Sequence, residues 1–296
     1  MSPARPLDAR GAITALLLAA LWGGNPVAVK IGLADAPPLR LGAMRFLLGG
    51  LTVLAYAWLT RRAGLLRLRG EEARVIWSLG LLFAVQTGLM NVGANLTSAA
   101  HGAVLLNAAG IHTVLLAHFF IPGDRLTTAK LAGVLVAYAG IVVLFAGDVS
   151  ASGSSLVGDL VLSASAFLLG ERTVYMARAV QRVDPIKLLL GQALIGTTAF
   201  VAASALLESA VPTRTTASLG LVLLYQGVVI AGFNFIVNAW LLQRYLPSAL
   251  ATWMLTTPIW GVLIAAAVAG DRLTPALVLS SVMVAAGIGI ATRRTA

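Results

Sequence analysis

The chain has 296 residues, 59% of them hydrophobic and 11% charged, with no cysteine and a formal net charge of +10. Soluble domains carry roughly a quarter charged residues, so so few charges could not cover a water-facing surface, and the solvent is read as lipid. The absence of cysteine excludes disulfides, haem thioether attachment and thiolate metal sites, whereas a basic balance would suit nucleic acid unless the charges have another purpose.

In chain order, apolar runs long enough to cross a hydrocarbon core of about 30 Å fall at residues 11–33, 39–60, 75–96, 98–121, 127–147, 156–178, 186–209, 217–242, 247–269 and 274–292. An all-α integral membrane protein of ten helices is therefore expected. The first run follows a basic tail, as a signal peptide would, but continues through Trp22-Gly23-Gly24-Asn25 without a small-residue cleavage site and reads as a retained helix. Pro26 then frees a backbone carbonyl and kinks the helix. Trp22 and Asn25 are candidate substrate contacts and Pro26 a candidate gate, against the plainer reading that membrane helices tolerate proline.

In the second run Arg45 lies about two turns inside one end. Snorkelling or a structural salt bridge is the default for it, and a substrate-carboxylate anchor the sharper alternative. The third run offers Gln86 and Asn91. The fourth carries Asn107 and His112, with His101 eleven residues before His112 on nearly the same face. A neutral imidazole could bind substrate or couple protons, or simply bond a neighbouring helix.

Glu171, in the sixth run, is the costliest group to place in lipid and must face a partner or a wet cavity. It is a candidate substrate or proton-coupling site, or else neutralised by Arg172, Arg178 or Arg45. The eighth run contributes Gln226, Asn234 and Asn238, the last two four apart on one face. The ninth carries Thr256-Thr257-Pro258, with Pro258 a second candidate gate.

Gly123-Asp124-Arg125-Leu126-Thr127 returns as Gly270-Asp271-Arg272-Leu273-Thr274, 147 positions later, and Gly11 with Gly158, Pro38 with Pro185 and Ala139-Gly140-Ile141 with Ala286-Gly287-Ile288 keep the same offset. Such repetition points to two units, residues 1–148 and 149–296, of five helices each. An odd number of helices inverts the second unit, and inverted repeats are a signature of secondary transporters. Positions where the halves differ in polarity, such as Arg45 against Gln192, Gln86 against Phe233, Asn107 against Met254, His112 against Ile259, Glu171 against Gly24 and Gln226 against Leu79, are the better functional candidates.

With the N-terminus inside, sixteen of the twenty-one Lys and Arg fall on cytoplasmic segments and four outside, the positive-inside bias. The basic charge then encodes topology and no nucleic acid is expected, with both termini cytoplasmic. A phosphate-binding Gly-x-x-x-x-Gly-Lys loop, His-Glu-x-x-His and Gly-x-Ser-x-Gly are absent, so no enzyme, metal or cofactor is expected.

Trp22-Gly23, Pro37-Pro38 followed by Arg45, Pro258, the Gly-acid-x-Leu-Thr element after the fourth and ninth runs, and Ala-Gly in the fifth and tenth resemble the drug/metabolite transporter superfamily, in particular its ten-helix group with two EamA-type domains. Two departures stand out: Asp124 and Asp271 occupy positions where glutamate is usual, and Gly110-Ile111-His112 stands where a proline would mirror Pro258. The resemblance implies export of small metabolites, often amino acids, from a bacterial cytoplasm across the inner membrane by alternating access, through a cavity formed by helices 1, 3, 4, 6, 8 and 9. Only Arg45 and Arg172 are available in that cavity, too few for a phosphate-bearing nucleotide sugar, so hydrophobic or aromatic amino acids, methionine and threonine are the expected cargo. A quaternary-ammonium or multidrug exporter, or a nucleotide-sugar-type carrier, is the alternative. The partners are a small-molecule substrate and the bilayer, and a monomer is compatible because the two units can bury their faces against each other.

Overall fold

The computed structural model describes residues 8–60, 70–121, 126–147, 156–245, 250, 256–269 and 273–292, and every element among them is helical. That follows from the solvent, because hydrocarbon offers no partners to backbone N–H and C=O groups and a helix satisfies them within one segment. The first span is broken into α1 (Ala9–Gly23) and α2 (Asn25–Gly32). Asp8 caps α1, accepting from the Gly11 N–H at 2.7 Å. Next come α3 (Pro38–Leu59), α4 (Gly70–Leu96), α5 (Ala99–Asn107), α6 (Ala109–Phe120) and α7 (Thr128–Gly147).

The second half contains α8 (Leu156–Ala179), α9 (Pro185–Leu207), α10 (Ala217–Leu223) and α11 (Phe235–Arg244), the last two joined without a break through a π-helical segment, Leu224–Asn234. It closes with α12 (Thr257–Ile264), a short π turn at Ala265–Ala269, and α13 (Pro275–Thr292). Seven spans among the described residues are long and apolar enough to cross a membrane, and Thr128–Val143 and Pro275–Gly287 are shorter apolar helices. The expected ninth run is described at 250 and from 256 on, and Asp124, Arg125, Asp271 and Arg272 lie outside the described residues.

Small residues set the helix contacts. A Cβ on Gly140 would lie 2.8 Å from the Met283 Cβ, and one on Gly287 2.5 Å from the Ala137 Cβ, so α7 and α13 pack backbone to backbone. With lipid tails as apolar as leucine, such close approach is the main source of association. α4 packs along α8 and α9, and α3 lies between α9 and the π segment. Phe46, Phe83 and Phe200 fill the space these helices enclose. On the outer wall Trp58, Leu206 and Leu207 are about four-fifths exposed, side chains that only a lipid surround accommodates.

Candidate functional site

The break in the first span is the local event from which the site is built. Pro26 stands in the first turn of α2, where its missing N–H costs no intrahelical bond. Gly24 bonds back to the Trp22 carbonyl, and the Leu21 carbonyl accepts from the Tyr225 hydroxyl. The Asn234 side chain donates to the Leu18 carbonyl at 3.2 Å. Both donors belong to the π segment, whose wider turn disrupts the regular ladder, a feature often met at functional sites. After these bonds the Oδ1 atoms of Asn25 and Asn234 and both amide atoms of Gln226 remain buried without a partner, and Gln226 is completely inaccessible.

Beside this lies a cluster of arginine and aromatic rings. The Arg45 guanidinium sits 4.3 Å from the centroid of Phe46, whose ring meets Phe83 edge to face at 4.5 Å, and Arg172 lies 5.0 Å from Phe83 and 5.9 Å from Phe235. Trp22 packs against Phe235 at 5.8 Å. Arg45 is 4% exposed, and its Nε and Nη1 have no acceptor. Arg172 donates to Gln192 Oε1 at 3.4 Å, its one bond among the described residues. A crevice of only about 10 Å³ is lined by Phe46, Phe83, Phe235, Gln192 and the glycine pair Gly49 and Gly50, with neither guanidinium in its wall.

Most of the other buried polar groups are engaged, Thr197 Oγ1 and Ser280 Oγ being exceptions. Gln86 donates to Ser165 Oγ at 3.0 Å and its carbonyl accepts from Ser165 at 2.8 Å, clamping α4 to α8. Asn91 donates to the Pro38 carbonyl at 3.0 Å, although its Oδ1 is unpartnered. Asp159 accepts from Thr97 at 2.6 Å and pairs with the His101 ring at 3.0 Å, tying the start of α8 to α5. Glu208 holds the Leu39 and Arg40 N–H groups at 2.8 and 2.9 Å, capping α3 from the far half of the chain.

The structure separates several residues that the sequence grouped. Trp22 and Asn25 lie on the broken span and Gln226 and Asn234 on the π segment that contacts it, Trp22 packing on Phe235 and Asn234 bonding to Leu18, and Asn238 lies half-buried one turn beyond Asn234. Asn107 bonds back to Ala103 in its own helix at 2.5 Å. His112 meets the Tyr138 hydroxyl at 3.1 Å and packs against Tyr138 and Phe167, away from His101, because the span breaks at Ala108 between them. Pro258 falls in the first turn of α12.

Two expectations need correction. Glu171 is exposed and has no ion pair or hydrogen bond among the described residues, because its neighbour Arg172 takes the inward face and adjacent helical positions point about 100° apart. Arg45 neither snorkels nor pairs with a carboxylate, because it is drawn instead onto the aromatic cluster. Asp159, Ser165, Tyr225 and Gln192 were not singled out as site residues, although an acid in the first turn of an apolar run was a visible signal for Asp159. Gln192 was visible too, standing 147 positions from Arg45.

The model of the EamA-like transporter family matches residues 9–146 and again 156–293. The chain is 29% identical to a probable amino-acid metabolite efflux pump of Salmonella typhimurium over 95% of its length and 96% of the relative's, and 26% identical to the protein of the same description in Escherichia coli over 96% and 95%. It is 21% identical to the uncharacterised transporter YoaV of Bacillus subtilis over 90% of its own length and 91% of the relative's. A protein crystal structure shares its fold with a TM-score of 0.70 at 22% identity over 95% of each chain.

Proposed function

Since the chain belongs to the EamA-like transporter family of the drug/metabolite transporter superfamily and is a multi-pass membrane transporter, we propose that it exports amino acids across a bacterial inner membrane by alternating access. Hydrophobic and aromatic amino acids, methionine and threonine are the substrates of this reading. The observation that carries it is the group of buried polar atoms without partners on contacting elements: Asn25 Oδ1 on α2, and the Gln226 amide and Asn234 Oδ1 on the π segment. Buried polar groups are nearly always bonded, and within a membrane those that are not mark a path for something polar.

In this reading Trp22, Asn25, Gln226, Asn234 and Asn238 contact substrate, and the breaks at Gly24–Pro26 and before Pro258 flex as gates. Gln86, Asn91, Asn107 and His112, each already bonded, hold the walls. Ten helices in two inverted units, residues 1–148 and 149–296, with both termini cytoplasmic, complete the proposal. It draws support from the two family matches, which begin and end 147 positions apart, the offset that aligns the halves. The names of the Salmonella and Escherichia relatives favour amino acids over other metabolites. Quaternary ammonium export fits less well, since it needs a carboxylate in the aromatic cluster and Glu171 faces outward while Asp159 is held by Thr97 and His101.

The test is counterflow in liposomes with labelled phenylalanine, methionine and threonine, with and without a proton gradient. Saturable uptake that excess unlabelled substrate abolishes is expected. Absence of counterflow for every amino acid would overturn the cargo assignment.

A further inference from the structure

Two guanidinium groups share the interior with no carboxylate beside them among the described residues. Removing a charge from water costs several kcal/mol unless a partner repays it, and here Arg45 leaves two nitrogens without acceptors while Arg172 lies on Phe83, the ring that meets Arg45's own Phe46. The rings of Phe46, Phe83 and Phe235 recover part of the cost through their negative faces, but a ring does not accept the in-plane N–H bonds of the fork. The crevice opens against these same rings and against Gln192, the one acceptor of Arg172 among the described residues.

We propose that Arg45 and Arg172 form an anion subsite that takes the carboxylate of a small organic acid, with its apolar group against Phe46, Phe83 and Phe235. The proposal rests on the transport reading, and it deepens that reading by naming the charged end of the cargo and the residues that hold it. A carboxylate fits better than a phosphate, because the cluster supplies two guanidiniums and a single amide, and the crevice beside it, at about 10 Å³, holds no more than a water until the surrounding helices part. Bidentate acceptance by a carboxylate would satisfy the orphaned Nε–H and Nη1–H of Arg45 together. Binding would also cancel the repulsion between the two cations, so the site holds its ligand best with both present.

The experiment uses the full chain, purified in a neutral detergent with and without added anionic lipid. Thermal stabilisation is titrated with phenylalanine, 3-phenylpropionate, phenylalaninamide, phenethylamine and phenyl phosphate. Phenylalanine and 3-phenylpropionate are expected to stabilise with similar affinity and the amide and amine not to, and Arg45→Gln and Arg172→Gln to weaken both acids by about 10- to 100-fold, as for a lost charge-assisted hydrogen bond. Equal binding of acids and amide by the wild type overturns the proposal. So does tighter binding of phenyl phosphate, or competition by anionic lipid that removes acid binding, which would make the site a lipid headgroup contact.

Should the Gln variants fail to fold, the wild-type panel decides alone, and Arg45→Lys and Arg172→Lys, which keep charge but lose the fork, are expected to weaken the acids by a smaller factor. Acid binding without counterflow of any amino acid would sink the export reading and leave the subsite standing. Counterflow with equal binding of acid and amide would do the reverse.

Discussion

Substitution of Gly23 by alanine tests whether α1 and α12 meet as closely as they must. A Cβ at this position would lie 2.6 Å from the Trp260 Cβ, 2.9 Å from the Gly261 backbone nitrogen and 3.0 Å from the Thr257 carbonyl oxygen. Two of these three are backbone atoms and cannot rotate away. Ordinary contact begins at 3.4 Å, so α1 and α12 must part by about 0.8 Å, the difference between 3.4 and 2.6. Overpacking of this kind costs about 1–3 kcal/mol, offset by at most about 1 kcal/mol from the better helix propensity of alanine.

Gly220→Ala supplies the control, since a Cβ there meets nothing within 4 Å. It is expected to be neutral or stabilising by up to about 1 kcal/mol. Thermal unfolding of both variants in one detergent, followed by tryptophan fluorescence, should place Gly23→Ala below the wild type and Gly220→Ala level with it or above. Counterflow should fall for Gly23→Ala alone, because the gap opens beside both proposed hinges. Equal melting temperatures and equal rates for the two variants would refute the packing argument and the hinge assignment with it.

Asp159→Ala removes the acceptor shared by Thr97 and the His101 ring, and a loss of about 3–5 kcal/mol is expected, as for breaking a buried pair. Unfolding at fixed detergent checks it, with Asp159→Asn recovering part of the loss by keeping one carbonyl oxygen. Glu171→Gln should change stability by less than about 0.5 kcal/mol and leave counterflow unaltered. A collapse of transport in that variant would show that the exposed carboxylate acts in a step the present conformation does not display.

Much of this molecule was legible in its sequence, and each part for a definable reason. Lipid permits helices and little else, so the apolar runs marked the spans, and the repeated Ala-Gly pairs marked the α7–α13 contact because only small side chains let two backbones touch. Trp22-Gly23-Gly24-Asn25-Pro26 announced the break in the first span, since proline's missing N–H is a covalent fact. The assignment of polar residues was legible only as a set. Gln86 and Gln226 look alike in an apolar run, yet one is clamped to Ser165 and the other has no partner, and the difference lies entirely in which helix packs opposite.

Glu171 and Arg172 make the same point at one peptide bond's distance. Composition called attention to the acid, while the rotation of α8 against α4 and α9 turned the base inward onto Phe83 and Gln192 and left the acid outside. The sequence by itself determined that the chain lives in lipid, where its helices run and where they break, because these depend on hydropathy and on backbone chemistry local to each segment. Only the tertiary structure decided that Arg45 and Arg172 join one aromatic cluster and that Asp159 finds His101 and Thr97, because helix rotation and pairing are fixed by packing between segments that lie 58 to 127 positions apart.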